Sequence, residues 1–311
     1  MEEFKERLMD ALNKKACGDL SIRHITVTKA NDGKYEALTI SGSNDGMAST
    51  FYLENLFEQY KQGEDIDNLA EEILRRSQKH DIAEEAQILN IVENLGDYPA
   101  ICDHIIIKLL NLNMNKNYLN GKCYSTYLDF ALCFNIVIKN DTGAICTLAL
   151  PEEIFRSWKI SMEQLFEQAI ENMQRDFPVR ISEISDIISE LYSKNEFSRF
   201  MNSPVVENIG MYVFTNDKMI NGASVILYKG LLKAFAESLG CEEIIIIPSS
   251  VNEMILVPGD SELACGLNEI EKMISEVNST VVDKGEVLSD HPYIYNRNKD
   301  EIREYYTEKE G

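Results

Sequence analysis

The stretch IIIIPSSVNEMILVPGD, from Ile244 to Asp260, places two apolar runs on either side of a short polar segment. The first run is four consecutive isoleucines and the second is Met-Ile-Leu-Val, and residues of this kind favour β-strands. Pro248 and the residues that follow it are typical of a turn. The stretch therefore predicts a β-hairpin, which indicates a sheet built from antiparallel neighbours.

Strand and helix patterns continue on both sides of this hairpin. Residues 211–215 and 291–295 have the apolar pattern of strands, and residues 221–240 and 261–278 have the spacing of amphipathic helices. Gly230 lies inside the first of these helices and predicts a break near it. We therefore predict an α+β fold, in which antiparallel or mixed sheets are built from β-hairpins and helices pack on one face.

The first half of the chain contains a hairpin followed by two helices, and this order occurs twice. Leu53 of the first unit corresponds to Leu150 of the second, an offset of 97 residues. Asp65 and Ser161 occupy the same position at the start of the second helix, where such residues favour helix capping. The pattern is compatible with an old duplication and with two similar but unrelated units.

We expect two modules, an N-terminal region of residues 1–178 and a C-terminal domain of residues 179–311. A helix is predicted to join them, because apolar residues recur there at helical spacing. These residues are Ile181, Ile184, Ile188 and Leu191.

Two shorter stretches carry local predictions that matter for the site. Asn31, Asp32 and Gly33 suit a tight reversal with positive φ between two strands. The stretch AICDHIIIKLLNLN, residues 100–113, is predicted to be a helix, although it is rich in isoleucine.

The charge of the chain excludes several classes of partner. Acidic residues outnumber basic residues 52 to 30, and the formal net charge is −22. Such a surface repels phosphate backbones and anionic lipids, so we expect no direct nucleic-acid binding and no membrane binding. The seven cysteines have no spacing of a disulfide framework or of a zinc knuckle, and we expect reduced thiols, no metal and no cofactor in a cytoplasmic protein.

The polar segment of the first hairpin is the sharpest candidate site. An acid and two hydroxyl groups at its tip suit ligand binding, and a second polar cluster in TNDKMINGAS is a candidate neighbour. The candidate ligand-binding residues are Ser249, Ser250, Asn252, Glu253, Asp217 and Asn221. A turn whose side chains satisfy backbone groups is the alternative interpretation of the same residues.

Three functions remain open at this point. The first is a non-catalytic protein- or ligand-binding module with an unidentified partner, because no catalytic constellation stands out. The second is a serine-type hydrolase that uses Ser249 or Ser250, with Glu253 or the pair Asp290 and His291 as acid-base groups; fluorophosphonate labelling that Ser249→Ala abolishes would mark it. The third is an acidic decoy of a nucleic-acid-binding protein, whose complexes would dissociate steeply with salt. The Asp-Thr-Gly motif in residues 140–144 is interpreted as a turn, since a pair of such aspartates is needed for proteolysis.

Several segments together resemble a known family over nearly the whole chain. They include TFYLENLFEQYKQGEDIDNLAEEIL, MYVFTNDKMINGASVILYKGLLKAFAESLG and IIPSSVNEMILVPG, and they are similar to domain-of-unknown-function family 5688. The order of elements is more distantly similar to family 1444. The resemblance implies a bacterial, cytosolic chain and carries no activity or catalytic residue. Val251 and Asn252 stand where Ile and His are frequent in the family, which removes one candidate base.

Overall fold

In the residues that the structure describes, helices combine with three antiparallel sheets, so the predicted α+β class is confirmed. The computed structural model describes residues 1–17, 19–42, 48–77, 82–139, 145–187, 210–261, 264 and 266–305. The side chains of residues 82–87 and 139 lie outside this description.

The first sheet is the predicted N-terminal hairpin with one added strand. Its strands are β1 (Leu20–Thr28), β2 (Lys34–Gly42) and β3 (Ser49–Tyr52), in the order β1-β2-β3. Its helices are α1 (Glu2–Lys15), α2 (Leu53–Lys61) and α3 (Ile66–Ser77). At the hairpin turn, Asn31 and Asp32 have φ values of 58° and 51°, as predicted, whereas Gly33 has a φ of −60°.

The second sheet centres on one long strand. Its strands are β4 (Ile105–Asn111), β5 (Tyr124–Tyr127), β6 (Phe130–Lys139) and β7 (Ile145–Ala149). β4 pairs with one edge of β6, and β5 and β7 pair with the other. Its helices are α4 (Ile82–Glu93), α5 (Tyr98–Ile101), α6 (Glu152–Ser157) and α7 (Met162–Asp176). The predicted capping box of Ser161 and Gln164 at the start of α7 is present, with both hydrogen bonds.

The predicted helix over residues 100–113 is wrong. The chain forms only one helical turn, α5, and a 3-10 turn at Cys102–His104 before it enters β4. Three consecutive isoleucines, 105–107, resist the helix because β-branched side chains lose rotamer freedom there. Both faces of β4 are largely buried, so the strand lacks the polar alternation that would have identified it.

The third sheet contains the hairpin of Ile244 to Asp260. Its strands are β8 (Val179–Glu183), β9 (Tyr212–Asn216), β10 (Glu243–Ser250), β11 (Glu253–Pro258), β12 (Tyr293–Asn296) and β13 (Glu301–Glu304), in the order β13-β12-β10-β11-β9-β8. Its helices are α8 (Leu231–Leu239) and α9 (Leu267–Thr280). A 3-10 helix, Gly222–Leu227, precedes α8, so the break predicted near Gly230 is confirmed.

The predicted joining helix begins later than expected. Ile181 lies in β8 and pairs with Phe214, because the strand extends the sheet at the edge of β9. Ile188 and Leu191 lie outside the described residues.

The buried apolar side chains form two main clusters. The smaller one is built from α1 to α3 and the first sheet, with Leu8 and Leu69 at its centre. The larger one extends from Ile91 to Tyr295 and draws side chains from both sides of residue 178. The proposed division at that residue stays a prediction about folding units, and so does the proposed duplication.

Candidate functional site

The hairpin tip, Ser249 to Glu253, uses most of its polar groups within the turn. The Ser249 hydroxyl donates to Oε1 of Glu253 at 2.9 Å, and the backbone N–H of Asn252 donates to Oγ of Ser250 at 3.0 Å. Both hydroxyls are half-buried. These contacts are what the turn interpretation predicts. The hydrolase hypothesis stays a prediction, and the hydrogen bonds of Ser249 and Ser250 in the described part join neither of them to His291.

Asn252 connects the tip to the 3-10 helix beside it. Its side-chain oxygen accepts from the N–H of Asn221 at 3.0 Å, and its carbonyl oxygen accepts from the Thr215 hydroxyl at 2.7 Å. Gly222 lies against this joint, and a Cβ there would overlap both Thr215 Oγ1 and the Asn252 carbonyl oxygen. The fold therefore brings Asn221 and Asn252 together, as the sequence suggested for the two polar clusters.

Asp217 is separated from this arrangement. Its side chain is exposed and forms an ion pair with Lys218 at 3.3 Å. Its backbone N–H donates to the carbonyl of Pro178. Asp217 remains a candidate only as a surface residue.

A cavity of about 900 Å³ lies beside the Asn221–Asn252 joint, and we call it the lysine cavity. Its wall is formed by the end of β1 and the N-terminal hairpin, by β4, by the loop between β4 and β5, by the hairpin tip and by the segment after α9. The residues that matter for its chemistry are Lys29, Lys108, Tyr118, Asn221, Asn252 and Glu286. Its volume is in the range of sites that hold small molecules.

Lys108 projects from the middle of β4 into this cavity. It is half-buried, and no hydrogen bond or ion pair engages its amino group within the described part of the chain. Burial lowers the pKa of Lys108 below its usual value, and the negative charge of Glu286 opposes this shift. Cys133 lies opposite Lys108 in β6, and burial raises the pKa of its thiol to about 11. The neighbouring thiol is therefore neutral and does not balance a charge on Lys108.

Lys29 supplies a second cation, which is held by aromatic rings. Its Nζ lies 3.6 Å from the ring centre of Tyr52 and 4.9 Å from that of Tyr35. Contacts of this kind stabilise an ammonium group without neutralising it. The cavity thus has a positively charged side in a chain that is acidic as a whole.

Tyr118 lines the cavity together with Lys108, and Lys122 packs on the Tyr118 ring. The ammonium of Lys122 lies 3.9 Å from the centre of the Tyr118 ring and donates to the Tyr118 carbonyl oxygen. Burial raises the pKa of Tyr118 to about 12, so its hydroxyl keeps its proton at neutral pH. Asp32 positions this tyrosine, because its carboxylate accepts from the N–H groups of Tyr118 and Asn117 at 2.7 and 3.0 Å. Although desolvation opposes it, these bonds lower the pKa of Asp32.

Asn31, at the N-terminal turn, joins three separate segments around the cavity. It exchanges two hydrogen bonds with the fully buried side chain of Asn115, at 2.6 and 2.7 Å. Its own amide donates to the carbonyl oxygens of Lys284 and Val287 at 2.7 and 2.8 Å. This turn therefore fixes the position of the N-terminal hairpin against the rest of the cavity wall.

Carboxylates also line the cavity, at Asp283 and Glu286. Glu286 is exposed, and its Oε1 accepts from the side-chain amide of Asn252 at 3.2 Å. The backbone of Glu286 also accepts from the N–H of Val251 at 2.9 Å, which ties the hairpin tip to this segment. A ligand in the cavity would meet both amino groups and carboxylates.

His291 of the predicted acid-base pair belongs to a different and buried cluster, whereas the side chain of its neighbour Asp290 is exposed. The His291 ring lies 3.0 Å from Oδ1 of Asp290 and 3.2 Å from the Ser289 hydroxyl. The Tyr293 hydroxyl donates to Asp129 at 2.5 Å and accepts from the Ser289 hydroxyl at 2.8 Å. Because Ser289 is fully buried and His291 is 5% exposed, this Ser-His contact has no surface from which a substrate can reach it.

A second cavity of about 470 Å³ lies between β5, α7 and β13. Its lysine, Lys229, pairs with Glu167 at 2.9 Å. Among the described residues, the lysine of this cavity is thus ion-paired, unlike Lys108.

Sequence reasoning missed Lys108, Lys29 and Tyr118. The local signal for Lys108 was a single charge inside an otherwise apolar run, and the predicted helix would have turned it to the surface. The residues of the Asp-Thr-Gly motif lie outside the described residues. Within the described residues, no group of three His, Cys, Asp or Glu is arranged to hold a metal ion, and no helix is long and apolar enough to cross a membrane.

Comparisons with known proteins identify the family but not an activity. No curated protein and no solved structure matches the chain. A family model described as a family of unknown function, DUF5688, matches residues 1–297. That match covers far more than half of the sequence, in agreement with the resemblance seen in its segments. The chain belongs to the family of unknown function DUF5688.

Proposed function

We propose that this protein is a binding module that holds a small anionic molecule in the lysine cavity. The observation that carries the proposal is Lys108, whose amino group faces a cavity of about 900 Å³ without a hydrogen-bonding or ion-pairing partner in the described residues. Buried charges are normally paired, so a cation left without a partner in a cavity favours an anionic ligand as that partner.

The charged groups of the cavity define the chemical class of the ligand. Lys29 and Lys108 favour a phosphate or carboxylate group. Glu286 accepts hydrogen bonds, so it favours a hydroxyl or amino group. A polar metabolite of this kind fits both the volume and the charge pattern, whereas a nucleic acid is opposed by the net charge of −22.

The hydrogen bonds around the cavity favour a site whose walls are in place before the ligand binds. Asn31 and Asn115 fix one wall, and Asn221 and Asn252 fix another. A site whose walls are already held in place loses less conformational entropy when the ligand binds.

Calorimetric titration with inorganic phosphate, pyrophosphate and glucose 6-phosphate tests the proposal. We expect at least one of these probes to bind the wild-type chain and to bind Lys108→Met about tenfold to a hundredfold more weakly, since a hydrogen bond to a charged group contributes about 1.5–3 kcal/mol. Lys116→Met is the matched control, because Lys116 is exposed on the loop between β4 and β5 and does not line the cavity. Failure of every probe to bind, or equal binding by Lys108→Met, would overturn the proposal.

A further inference from the structure

We propose that Lys108 captures its ligand covalently, as an imine formed with an aldehyde or ketone that also carries an anionic group. This inference rests on the proposed function and names the substrate class of the same cavity. It is carried by the difference between Lys108 and two other lysines, Lys29 of the cavity wall and Lys122, which contacts the cavity residue Tyr118.

Two of these lysines are engaged as cations. Lys29 lies on the rings of Tyr52 and Tyr35, and Lys122 lies on the ring of Tyr118 and donates to its carbonyl oxygen. The amino groups of both residues are therefore engaged by neighbouring groups of the protein. Lys29, which lines the cavity, is suited to hold the anionic group of a ligand.

Lys108 differs from both. In the described part of the chain its amino group has no hydrogen bond, ion pair or ring contact, so its lone pair is not tied to another group. Its backbone lies in the centre of a strand whose neighbours on both sides are buried, which fixes the base of the side chain. Burial also lowers the pKa of this amine, which raises the fraction that is neutral and nucleophilic at pH 7.

The reaction needs only the amine and the carbonyl compound. The nitrogen lone pair of Lys108 attacks the carbonyl carbon, and the C=O electron pair moves to the oxygen, which takes up a proton. The nitrogen loses one proton to give a neutral carbinolamine. The hydroxyl group of this intermediate then takes up a proton and leaves as water, the nitrogen lone pair forms the C=N bond, and the nitrogen loses its second proton. The sum is amine plus carbonyl giving imine plus water, with no oxidant or reductant.

Two residues of the cavity wall are suited to move the protons. The Tyr118 hydroxyl remains protonated at neutral pH and can donate to the departing hydroxyl group. Glu286 acts electrostatically on Lys108 and is a proton acceptor in the cavity wall.

Pyridoxal 5′-phosphate is the reagent that tests this inference, because it is an aldehyde that carries a phosphate. After brief exposure at neutral pH, borohydride reduction fixes any imine as a secondary amine, and peptide mass spectrometry locates it. In the wild-type chain we expect labelling of Lys108 to be about tenfold faster than that of exposed Lys116, because burial lowers the pKa of Lys108. We expect pyridoxal, which lacks the phosphate, to label Lys108 more slowly than pyridoxal 5′-phosphate does. In Lys29→Met we expect the two reagents to label Lys108 at the same rate.

The outcomes separate the inference from the proposed function. Labelling of Lys108 at the rate of Lys116 would overturn imine capture, and the wild-type chain alone decides this. If Lys108→Arg still binds inorganic phosphate while the wild type shows no selective adduct, anion binding stands and imine capture fails. If pyridoxal and pyridoxal 5′-phosphate label Lys108 at equal rates and inorganic phosphate does not bind, the proposed anion binding is wrong, although Lys108 is still a reactive amine.

Discussion

Replacing Asn115 with alanine should separate the N-terminal hairpin from the rest of the molecule. The Asn115 side chain is fully buried and makes three hydrogen bonds, of 2.6 and 2.7 Å with Asn31 and of 2.8 Å with the carbonyl of Asn111. Each hydrogen bond contributes about 0.5–1.5 kcal/mol to the free energy of unfolding. The loss for the three bonds lies in the upper part of the summed range, because the substitution leaves their buried partners unsatisfied. We therefore expect the free energy of unfolding to fall by about 3 kcal/mol.

Urea denaturation followed with two probes measures this effect. Trp158 is the single tryptophan and reports on the larger buried cluster, whereas far-UV circular dichroism also reports on α1 to α3. In Asn115→Ala we expect the dichroism signal to be lost at lower urea than the tryptophan signal. Asn120→Ala is the control, because Asn120 is exposed on the same loop and should change stability by less than about 0.5 kcal/mol. A loss in Asn115→Ala no larger than that of the control would refute the reasoning.

Two further substitutions test the surroundings of the site. Gly222→Ala should lower the free energy of unfolding by about 2–4 kcal/mol, because its Cβ overpacks the site and breaks the hydrogen bond from the Thr215 hydroxyl to the Asn252 carbonyl oxygen. Urea denaturation measures this change. The control is Gly96→Ala, where a Cβ meets open space and the urea midpoint should hardly change. Asp129→Asn tests a buried carboxyl group. Burial raises the pKa of Asp129, although the hydrogen bond from Tyr293 opposes this shift. Between pH 3.8 and the raised pKa, the folded chain therefore binds more protons than the unfolded chain. The wild type should therefore gain stability relative to Asp129→Asn as pH falls from 7 through that window, and a pH-independent difference between their urea midpoints would contradict this.

Local signals in the sequence identified the hairpins and the helix ends. The apolar runs around the hairpin tip, the positive φ at Asn31 and the capping box at Ser161 are each set by residues close together in the chain. Such features are predictable because few residues decide them. The same is true of the break before α8, where Gly230 adopts a φ of 75°.

The cavity depends on contacts that no local signal reveals. Asn31 hydrogen-bonds Lys284, 253 residues further along the chain. An asparagine in a turn looks the same in sequence whether its side chain meets water or a distant segment. Lys108 was hidden by a second ambiguity, since a short buried run fits a strand or a helix equally well and only pairing with β6 decides between them.

The hairpin tip forms part of the cavity wall through Val251 and Asn252. The carbonyl oxygen and both side-chain polar atoms of Asn252 are already bonded within the protein. Loss of binding in Asn252→Ala would therefore not distinguish a missing ligand contact from a displaced wall. Lys108→Met does not have this ambiguity, because no hydrogen bond or ion pair holds the amino group of Lys108 in the described residues. The residue that the fold uses least is thus the one whose substitution reports most directly on function.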